Sequence, residues 1–199
     1  MASTREEHTA ARRQEMLAAY YDALVEEGLQ GASLAKVAKR LDVPPSLLIH
    51  YFGTKEQMTV ELVDYLLDKY RHSYGDALAA IPDPGQRLDA ILRALFDPEY
   101  HQLLDDSAFY ACFYLSLRNS TVREQFARLH HASLELLETT LTECMAAGLL
   151  PDDDAHELAL LLETLEEGYA FVIGGVEDGD AKAELGAMVK RRARALLGL

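Results

Sequence analysis

Two cysteines, Cys112 and Cys144, are all that 199 residues contain. In a cytoplasmic helical protein both are expected as reduced thiols; a redox switch would need them adjacent. No His, Cys and carboxylate spacing has the form of a metal site. The neighbours His130 and His131 would point about 100° apart on a helix and could not easily share one ion. The run Asp152–Asp154 is too short, and too apolar in context, for a calcium loop. No apolar run reaches the roughly 18 residues of a membrane span. The chain also opens without a charged, apolar and cleavage-site leader, so a cytoplasmic protein with no membrane partner is expected. No phosphate loop, nucleophile elbow or zinc motif is present, which argues against an enzyme and implies no cofactor. β-branched residues are few beside Ala, Leu and Glu, a balance that favours helix.

Positive charge is scarce too. Nineteen Lys and Arg stand against 33 Asp and Glu, a net charge of −14. Nucleic-acid binders usually carry a basic face. The scarcity is uneven, however: residues 1–55 hold seven cations and seven acids, so the whole −14 lies beyond them. An acidic body behind a neutral head repels DNA everywhere except at the head, and binding there would depend strongly on salt.

The informative stretch runs from Ser33 to Met58, SLAKVAKRLDVPPSLLIHYFGTKEQM. Leu34, Val37, Ala38 and Leu41 follow the i, i+3, i+4, i+7 spacing of one buried helix face. Ser33 precedes them as a cap. Asp42 stands at a tight turn, where positive φ is often required and Asp tolerates it better than most residues. Val43 anchors the turn, and Pro45 suits the first position of a second short helix, about Pro45 to Tyr51. Leu48 and Phe52 face the core, Tyr51 partly so. Pro45, Ser46, Leu47, Ile49 and His50 face outward. Thr54 and Gln57 have capping-box spacing, and the helix they open attracts anions, with Lys55 adding charge. A DNA phosphate fits there.

These residues resemble the TetR family of transcriptional repressors. The family's V-S-x-x-x-L-Y-x-Y/H-F-x-x-K-E-x-L pattern is met here by Val37-Ala38, Leu41-Asp42-Val43, Leu48-Ile49-His50-Tyr51-Phe52 and Lys55-Glu56-Gln57-Met58. The preceding EEGLQGAS also matches, so the resemblance covers about residues 10–65. It implies an all-α homodimer, a three-helix helix-turn-helix DNA-binding domain over 1–54, and a larger helical effector-binding and dimerisation domain over 55–199. The helix of residues 55–75 links them, in about nine helices altogether. It further implies a double-stranded DNA operator and a small-molecule effector as partners. The implied DNA contacts are Ser33, Lys36, Pro45, Ser46, Leu47, Ile49, His50, Tyr51 and Lys55. Two departures bear on specificity. Ile49 replaces a Tyr that usually reaches the DNA backbone. Pro45, Ser46 and Leu47 stand at the base-reading positions, where only Ser46 can hydrogen-bond a base edge and the others can touch thymine methyls. Much of the readout is therefore expected from DNA shape.

In chain order, residues 1–8 read as a frayed arm and a first helix as about Thr9 to Glu27, capped by Gly28. After the linking helix, Asp83-Pro84-Gln86 opens a helix with Leu88, Ile91, Leu92, Leu95 and Phe96 on one face. Asp97-Pro98-Glu99 repeats that device. From Tyr100 to Leu117 the densest aromatic group is Phe109, Tyr110, Phe113 and Tyr114, readable as core or as the lining of an apolar effector pocket. Phe96, Phe126, His130 and Tyr169 join it as candidate ligand contacts; for His130 a satisfied buried histidine is the competing reading. Asn119-Ser120-Thr121 caps a helix to about Ala147, with Thr121 and Glu124 at capping-box spacing. A helix over about 155–173 is apolar nearly all round and needs covering on two faces, one of them by a partner chain. With the last helix, about Ala181 to Leu197, it would form a four-helix dimer interface. The basic Lys190-Arg191-Arg192-Arg194 reads as a nucleic-acid patch or, the better reading, as balance for a helix C-terminus and nearby acids. Glu163, Glu166 and Glu167 share one face: solvated, or selective for a cation if turned inward. The alternative function is a helical small-molecule carrier with weak or lost DNA binding.

Overall fold

A computed structural model describes the backbone of residues 3–97 and 106–199. Its α-helices are α1 Ser3–Gly31, α2 Leu34–Arg40, α3 Pro45–Phe52, α4 Lys55–Tyr70, α5 Asp76–Ala79, α6 Pro84–Phe96, α7 Asp106–Ser116, α8 Ser120–Ala146, α9 Ala155–Gly174 and α10 Gly179–Leu196. Among the described residues there is no strand, and the helices number ten rather than about nine. The addition is the one-turn α5, which follows a π turn, Arg71–Gly75, at the end of α4. No described helix is long and apolar enough to cross a membrane.

The helices form two compact units. One is Met1–Lys69 with Ser107–Ala127; the other is Tyr70–Asp106 with Arg128–Leu199. This division differs from a linear boundary after residue 54, and packing supplies the reason. Most of α4 belongs to the first unit, where it buries Met58, Leu62, Val63 and Leu66. Thr59 bonds the Tyr20 hydroxyl at 2.9 Å. Gln125 of α8 donates to the Val60 carbonyl at 3.3 Å. Met16, Tyr20 and Leu24 of α1, Val37 of α2 and Leu48 of α3 are fully buried in the same unit. Burying each such side chain contributes about 1.5–3 kcal/mol.

Several helix ends depart from the expected ones for local reasons. The arm expected at residues 1–8 is helical from Ser3, with Glu6 in the first turn, where a carboxylate favours the helix dipole. Gly28 (φ 70°, ψ 170°) breaks α1 where a cap was expected, and the chain then continues as a last turn to Gly31. The cap of α8 is Asn119, whose side chain accepts from the Val122 N–H at 3.2 Å. Thr121 is already inside that helix, so its spacing to Glu124 forms no capping box. Asp83 caps α6 through the Gln86 N–H at 2.8 Å, as its spacing predicts. Asp154 caps α9 through Glu157 at 3.0 Å. The expected Asp97-Pro98-Glu99 start lies, beyond Asp97, outside the described residues.

The second unit's core joins Leu88, Leu92 and Phe96 of α6 to Leu141 of α8 and Leu158 and Leu162 of α9. Arg87 is buried there. It donates to Thr140 at 2.9 Å and to the Ile81 carbonyl at 3.1 Å, and pairs with Glu143. The basic end of α10 is tied to acids of α6: Lys190 to Asp97 at 2.9 Å and Arg194 to Asp89 at 2.7 Å. Cys112 and Cys144 are buried, unbridged thiols in different units. Burial pushes Cys112 up to about 12, far from a reactive thiolate.

Candidate nucleic-acid interface and effector site

The turn between α2 and α3 follows from three residues. Ser33 accepts from the Lys36 N–H at 3.4 Å and starts α2. Asp42 takes φ 52°, the left-handed conformation expected of it. Val43 donates to the Ala38 carbonyl at 3.0 Å, closing the turn. Pro44 then holds extended backbone, and Pro45 opens α3, where its missing N–H costs nothing.

Leu48 and Phe52 are buried, which fixes the roll of α3. Pro45, Ser46, Ile49 and His50 are consequently exposed, Ile49 by 43%, and Leu47 and Tyr51 are half-buried. The outward row is therefore where the sequence places it, except that Leu47, expected to face outward, is half-buried. Gly53 (φ 79°) ends α3, and the capping box forms reciprocally: Gln57 N–H to the Thr54 hydroxyl at 3.1 Å, Thr54 N–H to the Gln57 side-chain amide oxygen at 3.0 Å. Lys55 stands half-buried at the first position of α4. A recognition helix with an anion-attracting helix start beside it can meet base edges and a phosphate together.

Two features of this head have no local sequence signal. Arg13 of α1 donates to the Tyr51 carbonyl, pairs with Glu61 of α4, and lies over the Phe52 ring at 4.6 Å. One guanidinium thus satisfies an otherwise orphan carbonyl at the end of α3 and binds α3 to α1 and α4. In addition, two of the three cations of α2 are engaged: Lys36 pairs with Glu27, and Arg40 with Glu26, at the end of α1. Lys36, an expected DNA contact, is thus held by an acid in this structure.

The expected ligand contacts fall into two groups. In the first unit, Phe126 meets Phe109 and Phe113 edge-on, each at 5.3 Å between ring centroids, and Phe109 meets Tyr110 at 5.7 Å. Phe113 and Tyr114 are exposed, because they lie on the outer side of α7 while Ala108 and Cys112 fill its inner side. In the second unit, Phe96 and Tyr169 meet edge-on at 6.1 Å, and burial raises the Tyr169 hydroxyl to about 12.

His130 corrects another expectation. It is not a buried histidine on the inner stripe: its side chain is 61% exposed, and Nδ1 lies 2.8 Å from a Glu163 oxygen. Glu163 is the hidden partner. It is only 7% exposed, on the buried face of α9, so the solvated reading fails for this acid. Burial raises its carboxyl above the ordinary range, against the lowering effect of the Ser133 hydroxyl and of His130. Glu167, one turn on, is raised by burial and by Glu163. The signal in the sequence is an acid at a core position of an otherwise apolar helix, which periodicity alone assigns to either face.

Comparison with known proteins gives concordant results. Residues 17–62 match the family model described as bacterial regulatory proteins, tetR family, and residues 84–199 match a tetracyclin repressor-like C-terminal domain. The HTH-type transcriptional regulator BetI of Rhizobium meliloti is 28% identical over 165 residues, 83% of this chain and 75% of that protein. Its counterpart in Burkholderia lata is 29% identical over 177 residues, 87% of this chain and 88% of that one. Among solved structures, a TetR transcription regulator from Haloarcula marismortui superposes with TM-score 0.79 at 19% identity, covering 95% and 97% of the two chains. A putative transcriptional regulator from Saccharomonospora viridis, in complex with choline, gives TM-score 0.80 at 16% identity over 93% and 96%. At those identities the structures speak for the fold alone.

Proposed function

The chain belongs to the TetR family of bacterial regulatory proteins, a ligand-responsive DNA-binding transcriptional regulator, and on that premise we propose how its own residues do the work. It acts in the cytoplasm as a homodimeric repressor at a palindromic operator. Residues 1–54 read DNA, residues 55–199 bind effector and partner subunit, and α4 links the two functions. Pro45, Ser46, Leu47, Ile49 and His50 enter the major groove. Ser33, Lys36, Tyr51 and Lys55 hold the phosphates on either side. The observation that carries this reading is the exposed row of α3, set by buried Leu48 and Phe52 and locked by Arg13.

The dimer forms through α9 and α10. Leu160, Leu161 and Leu165 on α9 and Met188 on α10 are exposed although their helices already bury another face. Two copies of that pair complete a four-helix interface. The two heads then meet successive major grooves about 34–36 Å apart, and an effector that prefers another head separation releases the DNA. The effector is a small organic cation, because a carboxylate on the buried face of α9 is best satisfied by positive charge. The choline in the Saccharomonospora viridis regulator makes choline the first probe.

Selection of bound fragments from random and genomic DNA tests the reading. A recovered palindrome supports it and its half-site spacing reports the dimer. No enrichment by a folded dimer favours the carrier reading, for which the apolar character of Pro45, Leu47 and Ile49 speaks. Choline titrated into the protein–operator complex then tests the effector. No change in affinity at millimolar choline removes it.

A further inference from the structure

The head of this protein has as many acids as cations, and two of the acids sit directly on two of the three cations of α2, Lys39 being the third. Glu26 and Glu27 close the regular part of α1 just before the break at Gly28. Glu27 takes Lys36, and Glu26 takes Arg40, with a second contact between Arg40 Nη1 and Glu26 Oε1 at 3.1 Å. Arg40 also lies 4.0 Å from Glu27. Lys36 and Arg40 are four residues apart, so they share one side of α2.

Each pair has one open partner: Lys36 is 52% exposed at the side chain beside Glu27 at 27%, and Glu26 59% beside Arg40 at 30%. Surface pairs of that kind add little to stability beside the buried side chains beneath them. The pairs do have an electrostatic consequence for DNA. A Lys that neutralises a phosphate releases a condensed counterion, and that release drives non-specific binding. If the Lys must first leave a carboxylate, the uncovered acid takes up a cation and the gain is offset.

We propose that Glu26 and Glu27 are specificity-determining residues: they occupy Lys36 and Arg40 as internal stand-ins for phosphate and so suppress binding to non-operator DNA. The ion pairs open only where a docked recognition helix presses the duplex backbone against α2, so correct register supplies what random sequence does not. The inference rests on the reading of Lys36 as a phosphate contact.

The test uses the full-length protein and a random-sequence 30-base-pair duplex, followed by fluorescence anisotropy between 50 and 200 mM KCl. Glu26→Gln/Glu27→Gln should tighten binding by about fivefold at 100 mM KCl and steepen the salt slope by about 0.9 for each phosphate newly engaged. Misfolding cannot produce a gain. In a Lys36→Gln background the part of the gain due to Glu27→Gln should vanish, which separates release of Lys36 from a general change of charge. Unchanged or weaker binding, or a gain that survives in full without Lys36, overturns the proposal. Wild-type binding with no gain sinks the proposal and spares the DNA reading. No binding by wild type or variants at 50 mM KCl sinks both.

Discussion

Each unit of this molecule presents an acid to a cation, and the two place them oppositely. In the head, Glu26 and Glu27 meet Arg40 and Lys36 in the open, where either partner can exchange for another ion. In the second unit, Glu163 is inside and its partner His130 is outside. A surface pair is nearly neutral for stability and decides what the cation is available for. A buried acid costs desolvation, and its charge is maintained by whatever cation can reach it. The first arrangement suits control of DNA contacts, the second recognition of a charged ligand.

The contrast can be broken most severely by adding an acid to the outer side of the helix that already buries one. Leu165→Glu places charge on the exposed apolar face of α9, two residues from Glu163. The expected outcome is a monomer by sedimentation, with operator affinity reduced by roughly a hundredfold because two linked heads no longer act together. An intact dimer would move the interface elsewhere.

Arg13 stands between the two extremes, a half-buried cation shared by Glu61 and the end of α3. Arg13→Ala should destabilise the protein by about 1–3 kcal/mol, the cost of leaving a charged partner and a carbonyl unmatched. DNA binding should fall at least tenfold, about 1.4 kcal/mol. Arg13→Lys keeps the charge but cannot serve both acceptors, so it should restore stability more than affinity. Equal recovery of both would make Arg13 a support for the core and not for the recognition helix.

Glu163→Gln removes the hidden charge. Its carboxyl is raised in the folded protein, so the native state holds that proton at pH values where the unfolded chain has lost it. Stability from this group is fully present below the unfolded value and is lost as pH rises through the raised one. At neutral pH the variant should therefore melt higher, by about 2–4 °C for each kcal/mol regained. Its stability should also fall less as pH rises above the ordinary carboxylate range, while choline binding is lost. A lower melting temperature would mean that His130 and Ser133 more than repay the burial.

What was readable in the sequence was local. Ser33, Asp42, Pro45 and the Thr54–Gln57 box all act within a few residues, and each was found with the geometry expected. The all-helical class was implied by the family resemblance; the roll of α3 follows from periodicity, because the spacing of Leu48 and Phe52 allows only one buried side. What was not readable was pairing at a distance. Nothing near Arg13 announces Tyr51 or Glu61, 38 and 48 residues away. The face taken by Glu163 was likewise undecided, since an acid on a helix that is apolar nearly all round has no polar side to join. At the start of α8 the expected Asn119-Ser120-Thr121 cap is met by Asn119, while the Thr121–Glu124 box does not form, because only the backbone shows which residue precedes the first turn.

Lys55 gives the smallest effect and the finest test of the comparison. It has no acid partner among the described residues, whereas Lys36 has one. Both are read as phosphate contacts, so their losses should differ only by what each gives up to reach DNA. Lys55→Ala should weaken binding severalfold and equally on operator and random duplex, and flatten the salt slope by about 0.9 per head. Lys36→Ala should flatten it by less, and its effect on random duplex should be slight, because Glu27 already holds that charge. Equal slopes for the two variants would show that the acid beside Lys36 makes no difference to DNA, and unchanged affinity for Lys55→Ala would remove the start of α4 from the interface.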